Sequence, residues 1–86
     1  MSFYTITFTR PARKEFEKLS LQLETRIFKR IEYLGQEPRP TGCQKLRGQN
    51  DLWRIRIGDY RVIYKIDDLK KVVDIIGVRH RKHAYD

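Results

Sequence analysis

Leu52-Trp53-Arg54-Ile55-Arg56-Ile57-Gly58-Asp59-Tyr60-Arg61-Val62-Ile63-Tyr64-Lys65-Ile66 reads as a β-hairpin. Two arms rich in Ile, Val, Tyr and Trp flank Gly58-Asp59. A two-residue loop led by Gly suits a type II′ or I′ turn, whose twist matches that of the strands. The loop sets the register: Ile57 opposite Tyr60, Arg56 opposite Arg61, Ile55 opposite Val62, Arg54 opposite Ile63, Trp53 opposite Tyr64. Side chains alternate between the faces of a strand. One face therefore carries Trp53, Ile55, Ile57, Tyr60, Val62, Tyr64 and Ile66, with no charge. The other carries Leu52, Arg54, Arg56, Arg61, Ile63 and Lys65. Like charges directly opposite each other, as Arg56 and Arg61 would be, destabilise by a few tenths to about 1 kcal/mol. An anion between the two guanidinium groups would turn that repulsion into attraction. A solvated polar face on a half-exposed sheet accounts for the same pattern.

Upstream, Tyr4, Ile6 and Phe8 alternate with Thr5, Thr7 and Thr9, the pattern of an opening strand with one buried side. Thr9 can cap a helix, and Pro11 fits its first turn. Ala12, Phe16 and Leu19 then recur at helical spacing, giving a short helix that ends near Leu19. Ser20 can cap a second helix with the apolar stripe Leu23, Ile27, Ile31 and Leu34. Gly35 falls where a left-handed residue is expected after the helix end. The outer charges Arg26, Lys29 and Arg30 read as a solvated helix face. Residues 36–51 contain Pro38, Pro40, Gly42 and Gly48 and read as a long loop, of a length that is often functional. They deliver Lys45 and Arg47 close to the start of the hairpin. After the hairpin, Asp67 to Lys70 form a turn. Residues 71–78 form a strand that is apolar on both sides and hence central in its sheet.

The order predicts an α+β fold in one domain spanning residues 1–86: an N-terminal strand, a helical hairpin, then a three-stranded antiparallel meander. The helices should pack on one face of a four-stranded sheet. Trp53 is expected in the core, where its removal would cost roughly 3–5 kcal/mol.

The 86 residues hold 19 Lys and Arg against 11 Asp and Glu, a net charge of +8. So basic a short chain implies a polyanionic partner, either phosphate-bearing or an acidic protein. The single cysteine, Cys43, allows no disulfide within the chain, which fits a reducing compartment. No apolar run approaches the ~18 residues that span a membrane, and no signal peptide opens the chain. The expectation is a cytoplasmic protein that does not engage a membrane. Two His without clustered Cys or carboxylates do not make a zinc site, and no Gly-rich phosphate loop is present. Neither a metal nor a cofactor is expected.

The uncovered side of the sheet would present Arg54, Arg56, Arg61 and Lys65. The tail Arg79-His80-Arg81-Lys82-His83-Ala84-Tyr85-Asp86 leaves the last strand beside them. Together they make a cationic concavity with Tyr85 at its edge, and Lys45, Arg47, Arg79, His80 and Lys82 extend it. Arg forks match phosphate oxygens bidentately, and aromatic rings stack on splayed bases. Cleaving RNA asks for a 2′-OH nucleophile, a base to take its proton, an acid for the leaving oxygen, and cations for the charge-rich phosphorane. His80 and His83 are the chain's two candidates for proton transfer near neutral pH. Arg cannot serve as an ordinary base, because its pKa is above about 12.

Lys45-Leu46-Arg47-Gly48, the stretch Trp53 to Tyr64 and the tail His80 to Tyr85 together resemble the RelE/ParE superfamily of small bacterial toxins, and more closely its RelE branch. The resemblance covers essentially the whole chain. It implies a metal-independent endoribonuclease that cuts mRNA in the ribosomal A site and inhibits translation. Its implied partners are the ribosome, mRNA and a cognate antitoxin that wraps and neutralises the toxin. Carried over by position, Arg61 and Arg81 fall on the arginines that contact the scissile phosphate, and Tyr85 on the tyrosine that stacks on or orients the RNA. Arg54 and Arg56 fall where such toxins often carry lysines, one of them proposed as general base. With Arg56 in that place, His83 becomes the more attractive proton carrier. A ParE-type inhibitor of DNA gyrase shares the fold but generally lacks the basic tail ending in Tyr. A non-catalytic module that grips RNA or an antitoxin is the third reading.

Overall fold

A computed structural model describes residues 3–46, 48 and 51–83. In chain order the elements are β1 (Thr5–Phe8), α1 (Arg10–Glu17), α2 (Leu21–Leu34), β2 (Gln44–Lys45), β3 (Leu52–Ile57), β4 (Tyr60–Asp67) and β5 (Val72–His80). A 3-10 turn at Arg81–His83 follows. The strands form one sheet in the order β1-β5-β4-β3-β2. β1 runs parallel to β5, and every other neighbouring pair is antiparallel.

The hairpin has the register its turn dictates, from Ile57 opposite Tyr60 to Leu52 opposite Lys65. Gly58 has φ 58° and Asp59 is not left-handed, which fits a type II′ turn. The sheet has five strands, not the expected four. Within the segment read as a loop, Gln44 and Lys45 pair with Arg54 and Trp53. Two residues are too few to show alternation, so the sequence carries no period there.

Both predicted helix starts are present. The Thr9 hydroxyl accepts from Ala12 N–H and the Ser20 hydroxyl from Leu23 N–H, each at 3.3 Å. The expected left-handed Gly35 is right-handed instead, with φ −66°. Its lack of a side chain serves packing: a Cβ there would stand 3.0 Å from the Tyr4 carbonyl. Tyr4 N–H in turn donates to Gly35 O at 2.7 Å, so the start of the sheet crosses directly over the end of α2.

Ala12, Ile27, Ile31 and Leu34 of the helices pack on Ile55, Ile57, Val62, Tyr64, Val73, Ile75 and Val78 of the sheet. Ile75 and Val78 share that side although they are three positions apart. A register shift at Ile63/Tyr64 leaves Ile76 without a partner on β4 and reverses the alternation of β5. Trp53 is only partly buried, its ring flanked by the cations of Arg39 at 5.1 Å and Lys45 at 6.0 Å. Tyr64 is the aromatic at the centre, fully buried. Its hydroxyl donates to Pro38 O at 2.7 Å, and burial pushes the phenol's pKa up.

A surface network ties β1, the segment after α2 and the β4–β5 turn together. Tyr4 OH donates to Asp68 Oδ1 at 2.6 Å, and Arg39 donates to both Asp68 oxygens at 3.3 and 3.0 Å. Arg39 first, and Tyr4 second, hold the Asp68 carboxyl down from 3.8 to about 2. A depressed acid stabilises the fold above its unfolded pKa and loses that contribution as pH falls through the folded value. The melting-temperature gap between wild type and Asp68→Asn is therefore expected to be flat above about pH 5. It should close between about pH 4 and pH 2, as thermal melts across that range will read directly.

Candidate nucleic-acid interface

β1 ends at Phe8, level with Ile75, so the C-terminal half of β5 has no strand on that side. α1 takes the strand's place. Thr9 N–H donates to Ile75 O at 2.9 Å and the Thr9 hydroxyl to Ile76 O at 3.3 Å. Glu15 then accepts from Val78 N–H through Oε1 at 3.0 Å and from Arg79 Nε through Oε2 at 3.2 Å. A side-chain carboxylate thus satisfies an edge amide and orients an arginine together. Gly77, two residues before Arg79 on the same face, lets this happen. A Cβ there would meet Arg79 Nε at 2.9 Å, so the side chain crosses bare glycine on its way to Glu15.

Arg56 on β3, Arg61 on β4 and Arg79 on β5 occupy successive register positions on the face away from the helices. Adjacent strands lie about 4.7–4.9 Å apart, so the row spans roughly 10 Å. Arg56 is exposed and makes no ion pair among the described residues, while Arg61 and Arg79 are half-buried. Arg81 N–H donates to Asp59 O at 2.7 Å, which brings the chain end back to the hairpin turn. Arg81 Nε stands 4.0 Å from Asp59 Oδ1, with both side chains about two-thirds exposed. An exposed pair at that distance is worth little, so Arg81 can exchange Asp59 for another anion. Four arginines therefore converge on one solvent-facing end of the sheet.

The remaining candidates divide. Arg54, expected beside Arg56 on the exposed face, shares that face but is only 6% exposed, and it donates to the Gln44 side chain. The unforeseen strand β2 supplies that partner and takes Arg54 out of reach of a large ligand. Lys45 pairs with Trp53, so it lies on the helix side of the sheet, away from the row. His80 is opposite Tyr60, its ring edge-on to the Tyr60 ring at 5.4 Å, and it too faces the helix side. Its Nδ1 accepts from Lys82 N–H at 3.3 Å. Lys65 lies at the far end of β4, opposite Asp74. There it lines a 610 Å³ cavity with Asp51, Asp67, Asp68 and Asp74, an acidic setting unlike that of the row. Lys82 is exposed on the 3-10 turn, and His83 closes that turn. Arg47 and Tyr85 lie outside the described residues.

Sequence reasoning missed Glu15. Glu15 is 64 residues from Arg79, and no local pattern links them. Chemically, the row can clamp a phosphodiester between planar forks. It cannot take a proton, since arginine is not an ordinary base. Among the described residues no cluster of three or more His, Cys, Asp or Glu is arranged to hold a metal, and no helix is long and apolar enough to cross a membrane.

The family of ParE toxins of type II toxin–antitoxin systems matches residues 6–85, and the chain belongs to the ParE/RelE toxin family. Toxin RelG of Mycobacterium tuberculosis is 33% identical over 95% of both chains. The mRNA interferase toxin RelE of Escherichia coli is 31% identical over 94% of this chain and 86% of its own. The toxin–antitoxin complex RelBE2 from Mycobacterium tuberculosis contains a chain that superposes with a TM-score of 0.82. That chain is 32% identical, with 94% of each chain covered.

Proposed function

We propose that the chain is an endoribonuclease toxin that cuts mRNA in the ribosomal A site. The observation that carries this is the register row Arg56–Arg61–Arg79, with Arg81 folded back beside it. The 2′-OH attacks the adjacent phosphorus, the bond from phosphorus to the 5′ oxygen breaks, and a 2′,3′-cyclic phosphate and a 5′-OH result. Arg61 and Arg81 hold the phosphate and the negative charge that grows on it, and Arg56 and Arg79 flank them. His83 moves the proton and Tyr85 stacks on a base. No step is assigned to a metal. The similarity to a chain named mRNA interferase supports this reading. Similarity to a toxin crystallised with its antitoxin supports a cognate antitoxin as the neutralising partner. Such a substrate places the protein in the cytoplasm.

The matching family carries the ParE description, which favours inhibition of DNA gyrase as the second reading. Two assays on purified protein separate them. Mapped transcript 5′ ends inside codons, appearing only with intact ribosomes, support the nuclease. Blocked DNA supercoiling with intact transcripts would replace it with the second reading.

A further inference from the structure

The arginine row does not stop at the edge of β3. Arg56 also lines a 450 Å³ groove between the hairpin turn and the outer face of α2, together with Thr25, Arg26, Lys29, Arg30 and Gly58. That lining holds four cations and no carboxylate. Arg26, Lys29 and Arg30 recur at helical spacing, so they form one stripe on α2. Arg26 and Arg30, at i and i+4, carry like charge on one face and so weaken the isolated helix slightly. Arg26 reaches across to the turn: a Cβ on Gly58 would stand 3.4 Å from its guanidinium. Beyond Arg30 the stripe ends in Tyr33, 49% exposed, and these two line the next hollow, of 360 Å³.

Resting on the nuclease reading above, we propose that this groove binds the phosphodiester backbone of RNA. It would form a track that turns the β3 edge from the arginine row onto α2. Arg56, common to both, is the corner. Phosphates along the track neutralise Arg26, Lys29 and Arg30, and Tyr33 offers a ring for a base at its far end. The groove anchors RNA away from the bond that is cut and contributes affinity, while the row contributes chemistry.

The test is a triple variant, Arg26→Gln with Lys29→Gln and Arg30→Gln. Its control is Arg10→Gln with Lys14→Gln and Lys18→Gln, which removes the same charge from exposed positions of α1 and its C-cap. The probe is a fluorescein-labelled single-stranded RNA, titrated at several salt concentrations. Losing three phosphate contacts should make the slope of log affinity against log salt shallower by about 2. The control should leave it near the wild-type value. On ribosomes carrying a labelled mRNA, the groove variant should raise KM about tenfold or more and hold kcat within about twofold. An unchanged salt slope, equal losses in both variants, or a loss confined to antitoxin affinity would overturn the groove. If the wild type binds RNA through the groove yet cleaves nothing on ribosomes, the nuclease reading falls and the track stands.

Discussion

Arg61→Ala is expected to lower ribosome-dependent cleavage about 100- to 1000-fold, the effect of removing one donor aimed at transition-state charge. Arg61 is the middle of the row, with Arg56 on one side and Arg79 on the other. It alone has a like-charged neighbour on both flanking strands. Two such oppositions together cost roughly 0.5–2 kcal/mol of sheet stability, so truncating Arg61 relieves strain while it removes function. Melting temperature should change little as activity falls, because the relieved repulsion offsets the contacts that the half-buried side chain gives up. Arg61→Lys should be intermediate in activity, because an ammonium keeps the charge and loses the bidentate fork. Single-turnover cleavage on programmed ribosomes, with melts on the same samples, gives both readouts. Full activity in Arg61→Ala would remove the row from the mechanism. Lost cooperative unfolding would mark Arg61 as a structural residue.

The hairpin was legible because three rules agreed: a Gly-led two-residue loop, strict alternation, and β-branched arms. Those rules fixed every partner of β3 on β4, and with them the Arg56–Arg61 pair. β5 was not legible in the same way. Its extra residue at Ile76 puts Ile75 and Val78 on one side, which blurs the period and made the strand look apolar throughout. The same shift decides the tail. It puts Arg79 with the row and His80 against Tyr60, so of two adjacent basic residues only one faces the proposed substrate. Arg54 shows a second limit. Strand parity gives the face a side chain leaves from, and says nothing of what lies above it; here Gln44 of a two-residue strand supplies the partner. Glu15 shows a third, since α1 stands in for a missing strand partner through one side chain, a contact made in space between distant residues. Lys45 was placed on the wrong side because two-residue β2 shows no period: in register with Trp53, it shares that ring's side of the sheet.

Tyr64→Ala is expected to be the most destabilising single change in the chain, at about 3–5 kcal/mol. The ring is fully buried among Ile27, Ile31 and the strand residues around it, so its loss leaves a cavity under α2. In a domain of this size each kcal/mol shifts the melting temperature by about 4–8 °C, so the drop should exceed about 12 °C. Tyr64→Phe isolates the hydroxyl. It keeps the ring and leaves the Pro38 carbonyl without its donor, at about 1–3 kcal/mol. Trp53→Ala should cost less than Tyr64→Ala, because the indole is partly exposed and two cations lie over it. That order reverses what the sequence favours, since Trp is the larger ring and stands directly opposite Tyr64. Urea or thermal melts of the three variants measure the order. The Tyr64→Phe sample should still cleave at wild-type rate below its melting range, since the hydroxyl ties down the segment after α2 on the face away from the arginine row. A Trp53 variant that melts below the Tyr64→Ala variant would move the centre of the core to the edge of the sheet and undo this account of its packing.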